Sequence, residues 1–168
     1  MVCRDAVVED ALGIARVSVA AWQAAYPGLM PAAYLAGLDA EAALPRFEQG
    51  LRAHPLVLVM EQDGDIVGFS WYGASRDPDA GPEMGEVMAI NLHPSWWRRG
   101  LGRELLRETQ QRLSARGFSE ATLWVLHGNA SARQFYEAQG WRLDGAEQHD
   151  DKLTGFALHE VRYRVTLP

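Results

Sequence analysis

The residues with most chemical promise lie in one stretch. It reads Ile90-Asn91-Leu92-His93-Pro94-Ser95-Trp96-Trp97-Arg98-Arg99-Gly100-Leu101-Gly102-Arg103-Glu104-Leu105-Leu106. The order of residue types predicts strand, turn, glycine-rich loop and helix. Glu86 to Leu92 is an apolar run suited to a buried strand, and Pro94, with no N–H to donate, stops the ladder. Leu101, Leu105, Leu106, Thr109 and Leu113 then share a helical face, and Gly117 ends that helix. Gly100 and Gly102 therefore fall at a helix N-terminus, where backbone N–H groups lack intrahelical partners and the dipole favours anions. Glycine also lets a phosphate approach the backbone without meeting a Cβ. Arg98, Arg99, Arg103 and Arg107 add positive charge around the same spot. The chemistry this implies is the grip of a phosphate-bearing ligand.

Three phosphate-binding patterns compete for the stretch. A P-loop needs Lys-Ser or Lys-Thr after its glycine, and neither pair occurs in the chain. A dinucleotide fingerprint needs a third glycine where Leu105 stands, and an acid after the next strand, which ends Trp124-Val125-Leu126 instead. The third pattern, R/Q-x-x-G-x-G/A, belongs to the GNAT superfamily of acetyl-CoA-dependent N-acetyltransferases, and the whole phrase INLHPSWWRRGLGRELL resembles it closely. One position departs, since the usual Arg or Gln is Trp97 here.

A second stretch carries the same resemblance. Asn129-Ala130-Ser131-Ala132-Arg133-Gln134-Phe135-Tyr136-Glu137-Ala138-Gln139-Gly140-Trp141 is similar to the family pattern N-x-x-A-x-x-F-Y-x-x-x-G-F, with Trp141 for the final Phe. Read without the family, Asn129 is a good helix N-cap, Gly140 a good stop, and Tyr136 a core aromatic beside Phe135.

The resemblance implies a mechanism. Acetyl-CoA is expected as co-substrate, with no metal. The loop Arg98, Arg99, Gly100, Leu101, Gly102 and Arg103 would hold its pyrophosphate. The backbone of Ile90, Asn91 and Leu92 would bond the pantetheine amides and polarise the carbonyl, between strands ending at Leu92 and Leu126. Asn129 would contact the cofactor, and Tyr136, protonated at neutral pH, would donate to the departing sulfur. Glu86, at the start of the central strand, is the expected base for the amine; His93 titrates in the right range but lies beside the phosphate loop. The acceptor would be a primary amine attacking directly in a ternary complex, a small molecule in preference to a peptide N-terminus or protein lysine. The alternative is a module that senses acyl-CoA without turnover.

Other elements must position these groups. Val2 to Arg4 makes a short first strand. Leu12, Ala15, Val19, Trp22 and Tyr26 form a helical stripe, in which Trp22 and Tyr26 serve either the core or the wall of an acceptor site. Pro31 opens a short helix, and Asp39 caps another from Ala40 to about Leu51. Leu56 to Met60, an Asp63-Gly64 turn and Ile66 to Tyr72 make a hairpin. The Ser75–Pro82 region is a loop, and Ala121 to Leu126 is a parallel strand reached through the long helix. Trp141 to Gly145 and Val161 to Leu167 finish the sheet, with an acidic loop from Ala146 to Ala157. Arg162, Arg164 and Thr166 alternate with apolar residues, which predicts a strand with one solvated face. As an exposed edge, that last strand would invite pairing into a homodimer. The predicted fold is a mixed α/β sheet of about seven strands flanked by helices, one domain over residues 1–168.

Bulk properties fit these expectations. The chain has 168 residues, 48% of them apolar, enough for a real core. Its net charge of −6 argues against a nucleic-acid partner. No long apolar run predicts a membrane span, the His, Cys, Asp and Glu residues lack metal-ligand spacing, and the single Cys3 suits a reducing cytoplasm.

Overall fold

The computed structural model describes all 168 residues, Met1–Pro168. Seven strands and five helices follow one another as β1 (Val2–Asp5), α1 (Ala11–Ala25), α2 (Ala32–Ala36), α3 (Ala40–Ala53), β2 (Val57–Gln62), β3 (Asp65–Ala74), β4 (Met84–Leu92), α4 (Leu101–Ala115), β5 (Glu120–Leu126), α5 (Ala130–Ala138), β6 (Arg142–Asp150) and β7 (Leu158–Thr166). The strands form one mixed sheet in the order β1-β2-β3-β4-β5-β7-β6. Only β4 and β5 pair in parallel among the ladders resolved residue by residue, as the long connection through α4 requires. The chain divides into two compact units, Met1–Tyr72 with Ala89–Thr109, and Gly73–Met88 with Gln110–Pro168. No helix is long and apolar enough to cross a membrane.

In the first unit, Ala11, Ile14, Ala15 and Val17 of α1 join Phe47 and Leu51 of α3 over Val57, Val59 and Phe69. Val57, Leu58, Val59 and Met60 are all buried, so β2 is covered on both faces, which is why it reads as an unbroken apolar run. The Asp39 carboxylate caps α3 by accepting from Ala42 N–H at 2.7 Å. Asp63 and Gly64 both have positive φ, 54° and 90°, the geometry of a type I′ hairpin turn. Trp22 and Tyr26 lie off the buried stripe of α1; they are half-buried and meet edge to face at 5.2 Å.

In the second unit, α5 sits on the Tyr163 face of β7. The Tyr163 hydroxyl donates to Glu137 at 2.7 Å and accepts from Arg133 Nε at 3.1 Å, tying helix to strand at both charges. The opposite face of β7 is solvated at Thr166 and partly at Arg164, as the alternation predicts, but not at Arg162. Arg162 is buried at 8% exposure. Its guanidinium bonds Asp144 at 2.7 Å, Asp77 at 3.1 Å and Asp79 at 2.7 Å, and lies 5.5 Å over the Trp124 ring. Two of those acids belong to the loop after β3, so Arg162 helps fasten that loop over the sheet.

Two further expectations are corrected. Strand β7 is not an edge, because it pairs with β5 along one side and β6 along the other. Edge-to-edge pairing through Val161–Leu167 is therefore closed, and with it the argument for a homodimer. The acidic loop is also shorter than expected: Ala146–Asp150 belongs to β6, where Gln148 faces Glu160 and His149 faces His159. His127, one residue past β5, stacks on His159 of β7, which stacks on His149 of β6, at 4.6 and 4.8 Å between rings.

Candidate active site

The glycine-rich loop enters the α4 N-terminus through two left-handed residues. Helix α4 starts at Leu101, and Gly100 provides the first helical acceptor, its oxygen taking Glu104 N–H at 3.2 Å. Gly100 has φ +81° and Arg98 has φ +61°. Left-handed residues placed in this way turn successive N–H groups toward a common point, the concavity that binds anions. A non-glycine residue held left-handed costs about 1–3 kcal/mol, and such strain tends to persist at functional loops. Arg98, Arg99 and Arg103 are exposed around it, and Arg99 stacks on Trp96 at 4.8 Å. The helix is fixed beneath by buried Leu105, Leu106 and Leu113.

Trp97 explains its own departure from the family pattern. Its indole N–H donates to the Leu92 carbonyl oxygen at 2.8 Å, closing the loop back onto the end of β4. The side chain thus staples the loop in place of reaching for a phosphate. It also occupies the Leu92 oxygen, so of the three residues expected to bond pantetheine through their backbones, Leu92 has its acceptor engaged. His93 is engaged too: its Nδ1 accepts from Ser95 N–H at 3.3 Å, and its backbone N–H donates to the Val67 carbonyl oxygen at 2.8 Å.

The ladder between β4 and β5 runs through Met84–Glu120, Gly85–Ala121 and Glu86–Thr122 and then ends. β5 continues to Leu126 and keeps pairing with β7 all the way, Leu126 opposite Glu160. Past Thr122 its other backbone edge is left without β4. Asn129 follows three residues after Leu126, and its side-chain oxygen caps α5 by accepting from Ala132 N–H at 3.2 Å. The cap uses the oxygen, which leaves the amide NH2 as what Asn129 can offer a ligand. Tyr136, two turns later, is 9% exposed and packs against Phe135, Trp141 and Tyr163 at 5.3, 6.3 and 6.2 Å between ring centres. Those contacts fix the ring as a core aromatic would be fixed.

Glu86 is held in a way that works against its expected role. It is 2% exposed, and Arg76 bonds it three times: backbone N–H at 3.0 Å and Nε at 3.2 Å to one oxygen, Nη2 at 2.7 Å to the other. A buried carboxylate gripped on both oxygens by a guanidinium anchors the loop and has little left to offer an ammonium. The same unit contains a carboxylate that sequence reasoning missed. Glu160 on β7 is half-buried, its Oε1 accepts from Gln148 Nε2 at 3.1 Å, and burial pushes its carboxyl above the usual range. The alternation that put Arg162 and Arg164 on one face of β7 would have put Glu160 there as well, had it been run back two residues.

Comparison with known proteins agrees with this geometry. Residues 20–141 match the model of the Acetyltransferase (GNAT) family. The uncharacterized N-acetyltransferase YuaI of Bacillus subtilis is 30% identical over 94% of this chain and 88% of that one. The mycothiol acetyltransferase of Kocuria rhizophila is 34% identical over 53% of this chain, a match that spans only 31% of that longer protein. Among solved structures, a GCN5-related N-acetyltransferase from Rhodopseudomonas palustris superposes with TM-score 0.77 at 21% identity, covering 99% and 95% of the two chains. The PaiA N-acetyltransferase of Thermoplasma acidophilum in complex with coenzyme A gives TM-score 0.69 at 19% identity, covering 95% and 96%. The cradle before α4 and the Asn129–Tyr136 helix are thus carried on a matched sequence and a matched sheet, and this chain belongs to the Acetyltransferase (GNAT) family.

Proposed function

We propose that the chain transfers an acetyl group from acetyl-CoA to a primary amine by direct attack, with a small-molecule amine as the preferred acceptor. The observation that carries the cofactor assignment is the left-handed pair Arg98 and Gly100 ahead of the α4 N-terminus. That loop would bind the pyrophosphate through backbone N–H groups, with Arg98, Arg99, Leu101, Gly102 and Arg103 around it. The backbone of Ile90 and Asn91 would orient the pantetheine arm, and the Asn129 amide would bond it near the α5 N-terminus. Tyr136 would give the sulfur its proton, since a phenol is protonated at neutral pH and α5 is pinned to β7 through Tyr163. Trp22 and Tyr26, half-buried and in edge-to-face contact, would form a wall of the acceptor site. A relative named for mycothiol, a small molecule, supports that acceptor class over a protein lysine.

The test is thiol release from acetyl-CoA over a panel of small amines, peptides with free N-termini and lysine-containing peptides. Release with small amines is the expected result. Tight coenzyme A binding with no release on any member would favour the sensing module. Thermal protection should come from acetyl-CoA and not from NAD, because the loop lacks the third glycine of a dinucleotide site.

A further inference from the structure

Resting on the acetyl-transfer reading, we infer that Glu160 of β7, and not Glu86, accepts the proton of the acceptor amine. The geometry begins with register. Glu160 stands directly opposite Leu126, the last residue of β5, where the β4 ladder has already ended. It lies at the end of the sheet from which Asn129 and α5 depart.

The side of the sheet matters next. β7 alternates without a break in its pairing to β5. Val161 and Tyr163 face α5, where Tyr136 packs against Tyr163. Glu160 and Arg162 face the other way, toward the loop carrying Arg76, Asp77 and Asp79. Within this unit the proposed acid and base therefore sit on opposite faces of the strands. A direct attack is compatible with that arrangement, because nitrogen and sulfur occupy different corners of the tetrahedral carbon and can be served by different groups.

Chemical character separates the two glutamates. Glu86 is buried and bonded on both oxygens by Arg76. Glu160 has one oxygen oriented by Gln148 and is half-buried, which leaves its second oxygen for a proton. Burial raises its carboxyl, and Asp150 and Glu86 push it the same way, while the Gln148 hydrogen bond and Arg76 oppose them. Asp77, Asp79 and Asp144 on that face are paired with Arg162, whose charge is therefore spent on them and not on Glu160. Leu126 and Trp124 contribute no charge from β5. A base raised toward neutrality matches the task better than an ordinary carboxylate.

The proton count closes. The ammonium loses one proton to Glu160, which passes it to solvent. The nitrogen lone pair forms the C–N bond, and the C–S bond breaks with its electron pair on sulfur. The second nitrogen proton balances the one Tyr136 donates to that sulfur.

The test is Glu160→Gln, which keeps the shape and the Gln148 contact. For an alkylamine, kcat/KM should fall by about 10²–10⁴-fold, the usual worth of a general base. Acetyl-CoA affinity and melting temperature should stay near wild type. An acceptor already neutral at pH 7, such as a hydroxylamine or an acyl hydrazide, should lose far less. The variant's rate on the alkylamine should climb with pH toward the amine's own pKa, where wild type levels off. Glu160→Asp should restore part of the wild-type profile, and Glu86→Gln should lower melting temperature while leaving the neutral-to-charged acceptor ratio unchanged. Equal losses on both acceptor types, or a Glu86→Gln variant with the acceptor-dependent loss, would overturn the assignment. A wild-type enzyme that turns over no amine would overturn the transfer reading itself, and the base with it.

Discussion

The Trp97 indole N–H and the Leu92 carbonyl oxygen meet at 2.8 Å, joining the loop before α4 to the last residue of β4. The bond spans the position where the family pattern places a side chain for the phosphate. It fixes the loop to the strand end. Trp97→Phe removes the donor and keeps most of the ring, so the cost should be about 0.5–1.5 kcal/mol, one net hydrogen bond. If the loop carries that cost on binding, coenzyme A affinity should fall about 2–10-fold, read by calorimetry, with melting temperature little changed. Unchanged affinity would mean that the staple does not support the cradle.

Gly102→Asp puts a Cβ and a negative charge in the first turn of α4, where the pyrophosphate is proposed to sit. Coenzyme A should bind at least about tenfold more weakly, since a like charge replaces free N–H donors as the nearest neighbour. The same variant should melt close to wild type, because an acid in a first helical turn is favourable in the free protein. A folded variant with full affinity would remove this loop from the site.

Much of this was legible in the sequence because local chemistry decided it. The glycine-rich loop, the Asp39 and Asn129 caps and the Asp63-Gly64 turn are set by residues adjacent in the chain. What was not legible depends on pairing between distant strands. The Ala146–Asp150 segment looks polar and loop-like, yet it is strand because β7 supplies its partners, including the cross-strand stack of three imidazoles. The edge position of β7 was misjudged because sheet order is not written in strand composition; β6 lies outside it. The ion pair of Glu86 was not legible because its partner, Arg76, lies in a loop with no periodicity to place it. Glu160 was hidden beside the arginines of its own face.

Arg162 provides a stability test of that face. Its guanidinium is the shared partner of Asp77, Asp79 and Asp144, and these carboxylates hold it well above its ordinary value despite its burial. Arg162→Met keeps the length and removes the charge, leaving acids around an apolar chain. Breaking one partner of a buried ion network costs about 3–5 kcal/mol. The variant should melt well below wild type, and lowering the pH to protonate the acids should narrow the gap. A near-normal melting temperature at neutral pH would show that solvent rescues the acids.

Asp10 gives a pH dependence with a definite sign. Burial pushes its carboxyl up, but the Arg4 guanidinium at 2.7 Å and the Val7 N–H at 2.8 Å outweigh it and hold it below the usual carboxylate range. A group lowered on folding stabilises the fold above its unfolded pKa of about 3.9 and loses that contribution as pH falls through the folded value. Asp10→Asn should therefore be less stable than wild type by about 1.5–3 kcal/mol between pH 5 and 8, the worth of a hydrogen bond to a charged group. The gap should close in acid. Denaturant midpoints at pH 7 and pH 3 would check it, and a constant gap would discard the ion pair as its source.

Tyr136 divides catalysis from packing in one substitution. Its ring is held by Phe135, Trp141 and Tyr163, and Tyr136→Phe leaves every one of those ring contacts in place. If the hydroxyl protonates sulfur, kcat should fall by about 10²–10⁴-fold while coenzyme A affinity stays near wild type. The loss should be smaller for acyl donors with more acidic thiols, because those leave without a proton. If the residue only packs, deleting one hydroxyl from a buried ring should alter melting temperature more than rate. Measuring kcat, coenzyme A affinity and melting temperature on the same preparation separates the two patterns. A variant with lowered stability and near-normal kcat would end the catalytic role, and the acid would then have to be sought among groups facing the open end of β5.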